Sequence, residues 1–273
     1  MSAVEASPSS APAPTGAPAI EAVRLTKVFG QVRALRAASF QAWSGEVTAL
    51  VGDNGAGKST LVKCLAGSLQ PDEGDIRIAG ERVVLSDPHV ATRLGVETVY
   101  QDLALAPDLD AAANVFLGRE IRRWGILHNH PEMRRRTAKS FGELGVGMVQ
   151  DLRVPVTSFS GGQKQSVAIA RAAMWARNVV LMDEPTAALG VIQTEKVLDL
   201  VRRIRDGGLA VVFISHNLPE VLQIADRIEV MRLGARVARF GRGEADVERL
   251  IAAISGAYTN EAAEEGGRHD PAH

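Results

Sequence analysis

Three short stretches of the chain are apolar at nearly every position: Val47-Thr48-Ala49-Leu50-Val51, Val179-Val180-Leu181-Met182 and Ala210-Val211-Val212-Phe213-Ile214. Runs of that length, rich in β-branched residues and free of charge, predict strands buried on both faces, as in a parallel sheet covered by helices. From Ala19 onward such runs alternate with helix-length segments, so the fold class is α/β. Between about Asp102 and Ser158 the strand signal fades, and sequences such as Arg134-Arg135-Arg136-Thr137-Ala138-Lys139 predict a helical lobe inserted into the core. Residues 1–18 are mostly Ala, Pro and Ser, and the chain from Thr259 returns to Glu, Gly, Ala and His; both ends read as disordered tails. The expected organisation is one domain over residues 19–258, with a core of 19–101 and 171–258, a lobe of 102–170, and tails of 1–18 and 259–273.

Composition narrows the picture. The chain has 273 residues, 46% of them hydrophobic, which is enough to bury a substantial core. Lys and Arg number 31 against 32 Asp and Glu, a formal net charge of -1, so no surplus of positive charge is available to follow a nucleic-acid backbone. A single cysteine, Cys64, excludes an intramolecular disulfide and fits a reducing compartment. No stretch approaches the ~20 apolar residues needed to span a bilayer, so a membrane role must pass through a partner.

Directly after the first apolar run comes Gly52-Asp53-Asn54-Gly55-Ala56-Gly57-Lys58-Ser59, followed by Thr60 and a helical stretch to Ala66. This fits the phosphate-loop pattern in its strand-loop-helix context. Glycines let backbone N–H groups wrap a phosphate where a Cβ would collide, Lys58 neutralises the β/γ oxygens, and the Ser59 hydroxyl suits Mg²⁺. A glycine-rich turn is the competing reading.

The second run ends abruptly in Asp183-Glu184, with Pro185 preventing the strand from continuing. Ligands of parallel sheets bind outside the carboxyl ends of the strands, which puts both acids beside the phosphate loop. Asp183 then suits Mg²⁺ and Glu184 suits the polarisation of an attacking water. Ser160-Gly161-Gly162-Gln163 opens another helical stretch, in which Ser160 and Gln163 fit a capping box and the two glycines leave the helix start bare enough to meet an anion. An ordinary capped helix explains the same local pattern equally well.

These motifs together resemble the ATP-binding cassette (ABC) ATPases, whose Leu-Ser-Gly-Gly-Gln signature stands here as Phe159-Ser160-Gly161-Gly162-Gln163 ahead of Asp183. The resemblance covers about Ile20 to Tyr258. It implies a P-loop core with a mostly parallel sheet, an N-terminal antiparallel β portion and an inserted helical subdomain. It also implies roles for three further residues: Gln101 as a lid glutamine and metal ligand, His216 as a switch histidine, and Phe29 as the aromatic that stacks on adenine. In that family two subunits face head to tail, so Ser160, Gly161, Gly162 and Gln163 of one copy would complete the ATP site of the other. ATP and Mg²⁺ are the implied cofactors and a homodimer the implied active unit.

Two features sharpen the resemblance. Most cassettes carry Ser-Ala-Leu-Asp after the Pro-Thr pair, whereas this chain has Ala187-Ala188-Leu189-Gly190, losing a carboxylate that helps couple the two sites. Val99-Tyr100-Gln101-Asp102-Leu103-Ala104-Leu105, Asn114-Val115-Phe116-Leu117-Gly118-Arg119-Glu120 and Ile214-Ser215-His216-Asn217 resemble bacterial simple-sugar importers of the ribose, xylose and fructose type. The implied setting is peripheral, on the cytoplasmic face of the plasma membrane, with an integral permease and, indirectly, an external sugar-binding protein as partners. An importer or exporter for another substrate, or a soluble cassette without a permease, are the alternatives. The resemblance does not identify the sugar.

Overall fold

The computed structural model describes residues 16–123, 127–147 and 151–260; most of each expected tail, residues 1–15 and 261–273, lies outside them. The chain begins with two long antiparallel strands, β1 (Ile20–Phe29) and β2 (Val32–Ala42), and then β3 (Val47–Gly52), the phosphate-loop region and α1 (Lys58–Leu65). A small antiparallel pair, β4 (Glu73–Ile78) and β5 (Glu81–Val83), precedes α2 (Pro88–Arg93) and β6 (Val96–Val99). The lobe holds α3 (Ala111–Val115), a short hairpin of β7 (Arg122–Arg123) and β8 (Leu127–His128), and α4 (His130–Glu143). The return to the core comprises α5 (Gly161–Trp175), β9 (Val179–Asp183), α6 (Val191–Asp206), β10 (Ala210–Ile214), α7 (Leu218–Ile224), β11 (Arg227–Arg232), β12 (Ala235–Gly241) and α8 (Val247–Ser255).

Two sheets organise these elements. The larger runs β12-β11-β3-β10-β9-β6, parallel except for the β11–β12 hairpin, and the smaller runs β2-β1-β4-β5, wholly antiparallel. The three apolar runs are the three central strands β3, β10 and β9, and nearly every residue in them is fully buried. Strand periodicity of two splits their side chains between two cores. Ala49 and Val51 face a cluster with α5, α6, α7 and α8, while Leu50 joins α1 and the antiparallel sheet on the other face. Each such Val or Leu contributes roughly 1.5–3 kcal/mol by leaving water, which fixes the strand order that carries the site.

The lobe shares the helical-side core through Val115, Phe116, Met133 and Phe141. Its geometry is set by Asp110, which caps α3 by accepting from Ala113 N and pairs with Arg134 of α4 at 2.9 Å. Buried Asn114 donates to the carbonyls of Ala106, Leu109 and Asp110 and accepts from Ala106 N–H, satisfying an amide that would otherwise be costly to bury. No helix among the described residues is long and apolar enough to cross a membrane.

Candidate functional site

The carboxyl ends of β3, β9 and β10 lie side by side because β10 is hydrogen-bonded between the other two. From β3 issues the loop 52–57, from β9 the pair Asp183-Glu184, and from β10 Ser215-His216. Gly52, Asp53, Asn54, Glu184, Ser215 and His216 line one open depression of about 500 Å³. A larger depression of about 810 Å³ lies against Arg33, Arg36 and Arg232, and no residue of the phosphate loop or of the strand-end acids lines it.

Gly52, Gly55 and Gly57 all have positive φ, at 153°, 78° and 100°. Their reasons differ. A Cβ on Gly52 would stand 2.3 Å from the Met231 carbonyl oxygen and one on Gly57 2.6 Å from that of Ala34, whereas one on Gly55 would meet nothing within 4 Å. Close approach to a phosphate therefore accounts for Gly55 at most; the packing of β11 and β2 against the loop already demands the other two. Lys58 opens α1 and folds its ammonium back onto the carbonyls of Gly52 (2.7 Å) and Asp53 (3.0 Å). Burial pushes its pKa down, against the opposing pull of Glu184, Asp53 and Asp183. Ser59 and Thr60 follow in the first turn of α1.

Burial, then the neighbouring Glu184 charge, raise the Asp183 carboxyl above the ordinary carboxylate range, with Lys58 and Lys63 opposing. Among the described residues neither the Asp183 carboxylate nor the Ser59 hydroxyl has a hydrogen-bond partner, so hard oxygen donors without partners flank the loop. Such a donor set fits a divalent cation. Glu184 sits at φ 49°, in the left-handed region that costs a non-glycine residue about 1 kcal/mol or more. Its N–H donates to Ile214 O at 2.9 Å and its carbonyl accepts from Ala187 N–H at 3.1 Å, and these bonds hold the strained turn. The result is that Glu184 Oε1 meets His216 Nδ1 at 3.0 Å, where an Nδ1–H donates to the carboxylate. The His216 side chain is 70% exposed, which leaves its Nε2 for a ligand.

The other expected residues stand further off. Gln101 is exposed in the bend after β6, and since Val99 is in register with Met182, that bend lies beside the Asp183 end of β9. Phe29 ends β1, 49% exposed as a residue, with the Lys27 ammonium 5.8 Å from its ring centroid. Ser160 caps α5 in the expected capping box with Gln163. Ser160 and Gln163 line a separate depression of about 540 Å³ with Lys196 and Arg203, so a single chain does not bring this helix start to the phosphate loop. A Cβ on exposed Gly161 would meet only Leu189 Cδ2, at 3.9 Å. Nothing among the described residues requires glycine there.

Sequence reasoning missed one link. Arg171, on α5, donates to the carbonyls of Leu103 (3.1 Å) and Ala104 (2.9 Å), tying the segment after Gln101 to the helix headed by Ser160. Gly190 proves to be the N-cap of α6, without a side-chain cap. A mid-helix arginine carries no local signal of its partner, but the missing aspartate at Gly190 was visible.

Fold and site define a nucleotide-binding P-loop domain with a cassette architecture. The ABC transporter family model matches residues 35–187, and the chain belongs to that family. It is 44% identical over 246 residues to the fructose import ATP-binding protein FrcA of Rhizobium meliloti, covering 88% of this chain and 95% of the relative. It is 43% identical over 224 residues to the xylose/arabinose import ATP-binding protein XylG of Sulfolobus acidocaldarius, covering 82% and 88%. Among solved structures, an ATP-binding cassette captured as a dimer in a post-hydrolysis state bound to ADP and Pi superposes with a TM-score of 0.68 at 26% identity, covering 81% of this chain and 98% of the other.

Proposed function

We propose that this chain is the ATP-hydrolysing subunit of a simple-sugar importer, acting as a homodimer on a separate integral permease at the cytoplasmic face of the membrane. An external sugar-binding protein would take part indirectly. The observation that carries the hydrolytic reading is the contact of Glu184 with His216 on the depression lined by Gly52, Asp53 and Asn54. The import reading is supported by the two curated relatives, each named for import of a sugar and each matched over most of its length.

In this reading the loop from Gly52 through Ser59 and Thr60 receives the phosphates. Lys58 exchanges its bonds to Gly52 O and Asp53 O for β- and γ-phosphate oxygens, whose negative charge offsets the burial that depresses its pKa. Ser59, Asp183 and Gln101 would hold Mg²⁺, which supplies neutralising charge on the phosphate oxygens. Phe29 offers the open face of its ring to adenine. Glu184 accepts a proton from the attacking water, and His216 holds the Glu184 carboxylate and reaches toward the γ-phosphate through Nε2. Ser160, Gly161, Gly162 and Gln163 of a second copy close over the nucleotide; the glycine at 161, which no packing among the described residues requires, allows that close approach.

Two experiments test the proposal. Glu184→Gln is expected to keep ATP binding and to lower turnover by about 10²–10⁴-fold, the contribution of a positioned base; wild-type turnover refutes the assignment. Reconstitution with the integral permease and binding protein of a simple-sugar importer, in proteoliposomes containing fructose, xylose or ribose, is expected to show ATP hydrolysis stimulated by one of them. Failure of all three, with the purified chain bound to ribosomes or DNA instead, overturns the import reading.

A further inference from the structure

We propose that Glu220 is a positioning residue that fastens the Glu184 turn to the His216 turn from behind the site. This rests on the reading of Glu184 and His216 as the hydrolytic pair. The two residues leave adjacent parallel strands, β9 and β10, on separate short turns, 184–187 and 215–217. Glu220, in the first turn of α7, bonds to both. Its Oε2 accepts from the Thr186 hydroxyl at 2.5 Å, and its Oε1 accepts from Asn217 Nδ2 at 2.7 Å. One carboxylate thus joins the residue two places after Glu184 to the residue next to His216.

The bond to Thr186 is not part of capping α7. That cap requires only Asn217 Oδ1, which accepts from Glu220 N–H at 3.4 Å. The link from Glu220 to Thr186 spans 34 residues of sequence, leaves α7 itself unchanged and couples the two turns. Thr186 is buried, so its hydroxyl has been taken from water to make this bond. Glu220 does not line the depression that holds Glu184 and His216, so it acts through them and not on the substrate. Ser215 extends the same arrangement, its buried hydroxyl accepting from Asn217 N–H at 3.0 Å. Without Glu220 the strained Glu184 turn and the exposed His216 turn keep the backbone bond from Glu184 N–H to Ile214 O but lose their side-chain link, and the 3.0 Å contact between them is less tightly set.

Steady-state ATP hydrolysis by the full-length chain tests this. Glu220→Ala is expected to lower kcat about tenfold or more while the KM for ATP stays within about twofold, because the phosphate loop is untouched. Thr186→Val is expected to reproduce the loss, and the double variant to be no slower than the slower single one, since both remove the same link. Glu220→Gln, which keeps one acceptor oxygen, is expected to recover part of the rate. A purely structural role predicts lower thermal stability with unchanged kcat per folded molecule, or losses that multiply in the double variant, and either result overturns the proposal. Glu184→Gln and His216→Ala are measured alongside: if both keep wild-type turnover the hydrolytic reading fails, whereas if they lose it and Glu220→Ala does not, only the positioning role fails. Should Glu220→Ala not fold, Thr186→Val and Glu220→Gln decide by the same kcat-against-KM criterion.

Discussion

Replacing Gly190 by aspartate restores the residue most cassettes carry and should stabilise this protein. Six helices among the described residues begin at a side-chain cap: Asp87, Asp110, Asn129, Ser160, Asn217 and Asp246 each accept from a first-turn N–H. Two begin at glycine. In α1 the glycine is obligatory, since Gly57 lies at φ 100° against the Ala34 carbonyl. In α6 it is not: Gly190 has φ -75° and ψ 164°, ordinary extended backbone, and already accepts from Thr194 N–H at 2.9 Å. An aspartate there needs no backbone change. Its Cβ would stand 2.9 Å from Gln193 Oε1, the far end of a flexible side chain that can swing aside. The new carboxylate would accept from Gln193 N–H and meet the positive end of the α6 dipole. Relative to glycine, the cap and dipole together contribute a few tenths of a kcal/mol to about 1, and the smaller entropy of the unfolded chain about 0.4–1. Allowing for overlap and for the exposure of the position, the net is about 1 kcal/mol, or roughly 2–3 °C in Tm for a chain of this size. Scanning calorimetry of the nucleotide-free protein measures it. An unchanged or lower Tm refutes the reasoning.

Three further outcomes are expected. Asp183 has a folded pKa raised above its ordinary 3.8, so its ionisation works against the fold; that cost is absent below 3.8 and develops as pH rises through the interval up to the raised value. Asp183→Asn should therefore gain stability relative to the parent between pH 4 and pH 7 in nucleotide-free urea titrations, and a pH-independent difference would contradict the assignment. Glu229 is 1% exposed and bound by Arg239 at 2.9 Å and Arg236 at 3.4 Å, so Arg239→Ala should cost about 2 kcal/mol, less than full loss of a buried pair because Arg236 remains; guanidinium unfolding reads this directly. The Cys64 thiol is pushed up to about 11 by burial, so at pH 8 a thiol reagent should label the native protein more than about a hundredfold more slowly than the unfolded chain.

Glu184 illustrates what is local and what is not. Its identity, its place after an apolar strand and its proline neighbour are all within a few residues, and the proposed base role starts from them. Its left-handed φ, its contact with His216 and its indirect anchoring by Glu220 are not, since those partners are 32 and 36 residues away on another strand and helix. The glycines of the phosphate loop divide in the same way. Their pattern is visible in eight consecutive residues, but the carbonyls of Met231 and Ala34 that demand Gly52 and Gly57 reach them only through the packing of β11 and β2.

By itself the sequence determined the α/β class, the three central strands, the phosphate loop, the strand-end acids and the capping box of α5. Each is written in short-range spacing: periodicity, strand-terminating proline or glycine at fixed offsets. Only the tertiary structure decided which face each strand residue covers, that Arg171 ties the Gln101 segment to α5, that Glu229 is a buried ion-paired acid, and that Ser160 stands apart from the phosphate loop of its own chain. The reason is the sheet order. Placing β10 between β3 and β9 brings together chain segments more than a hundred residues apart, and contacts at that separation depend on the packing of whole layers, which no local pattern encodes.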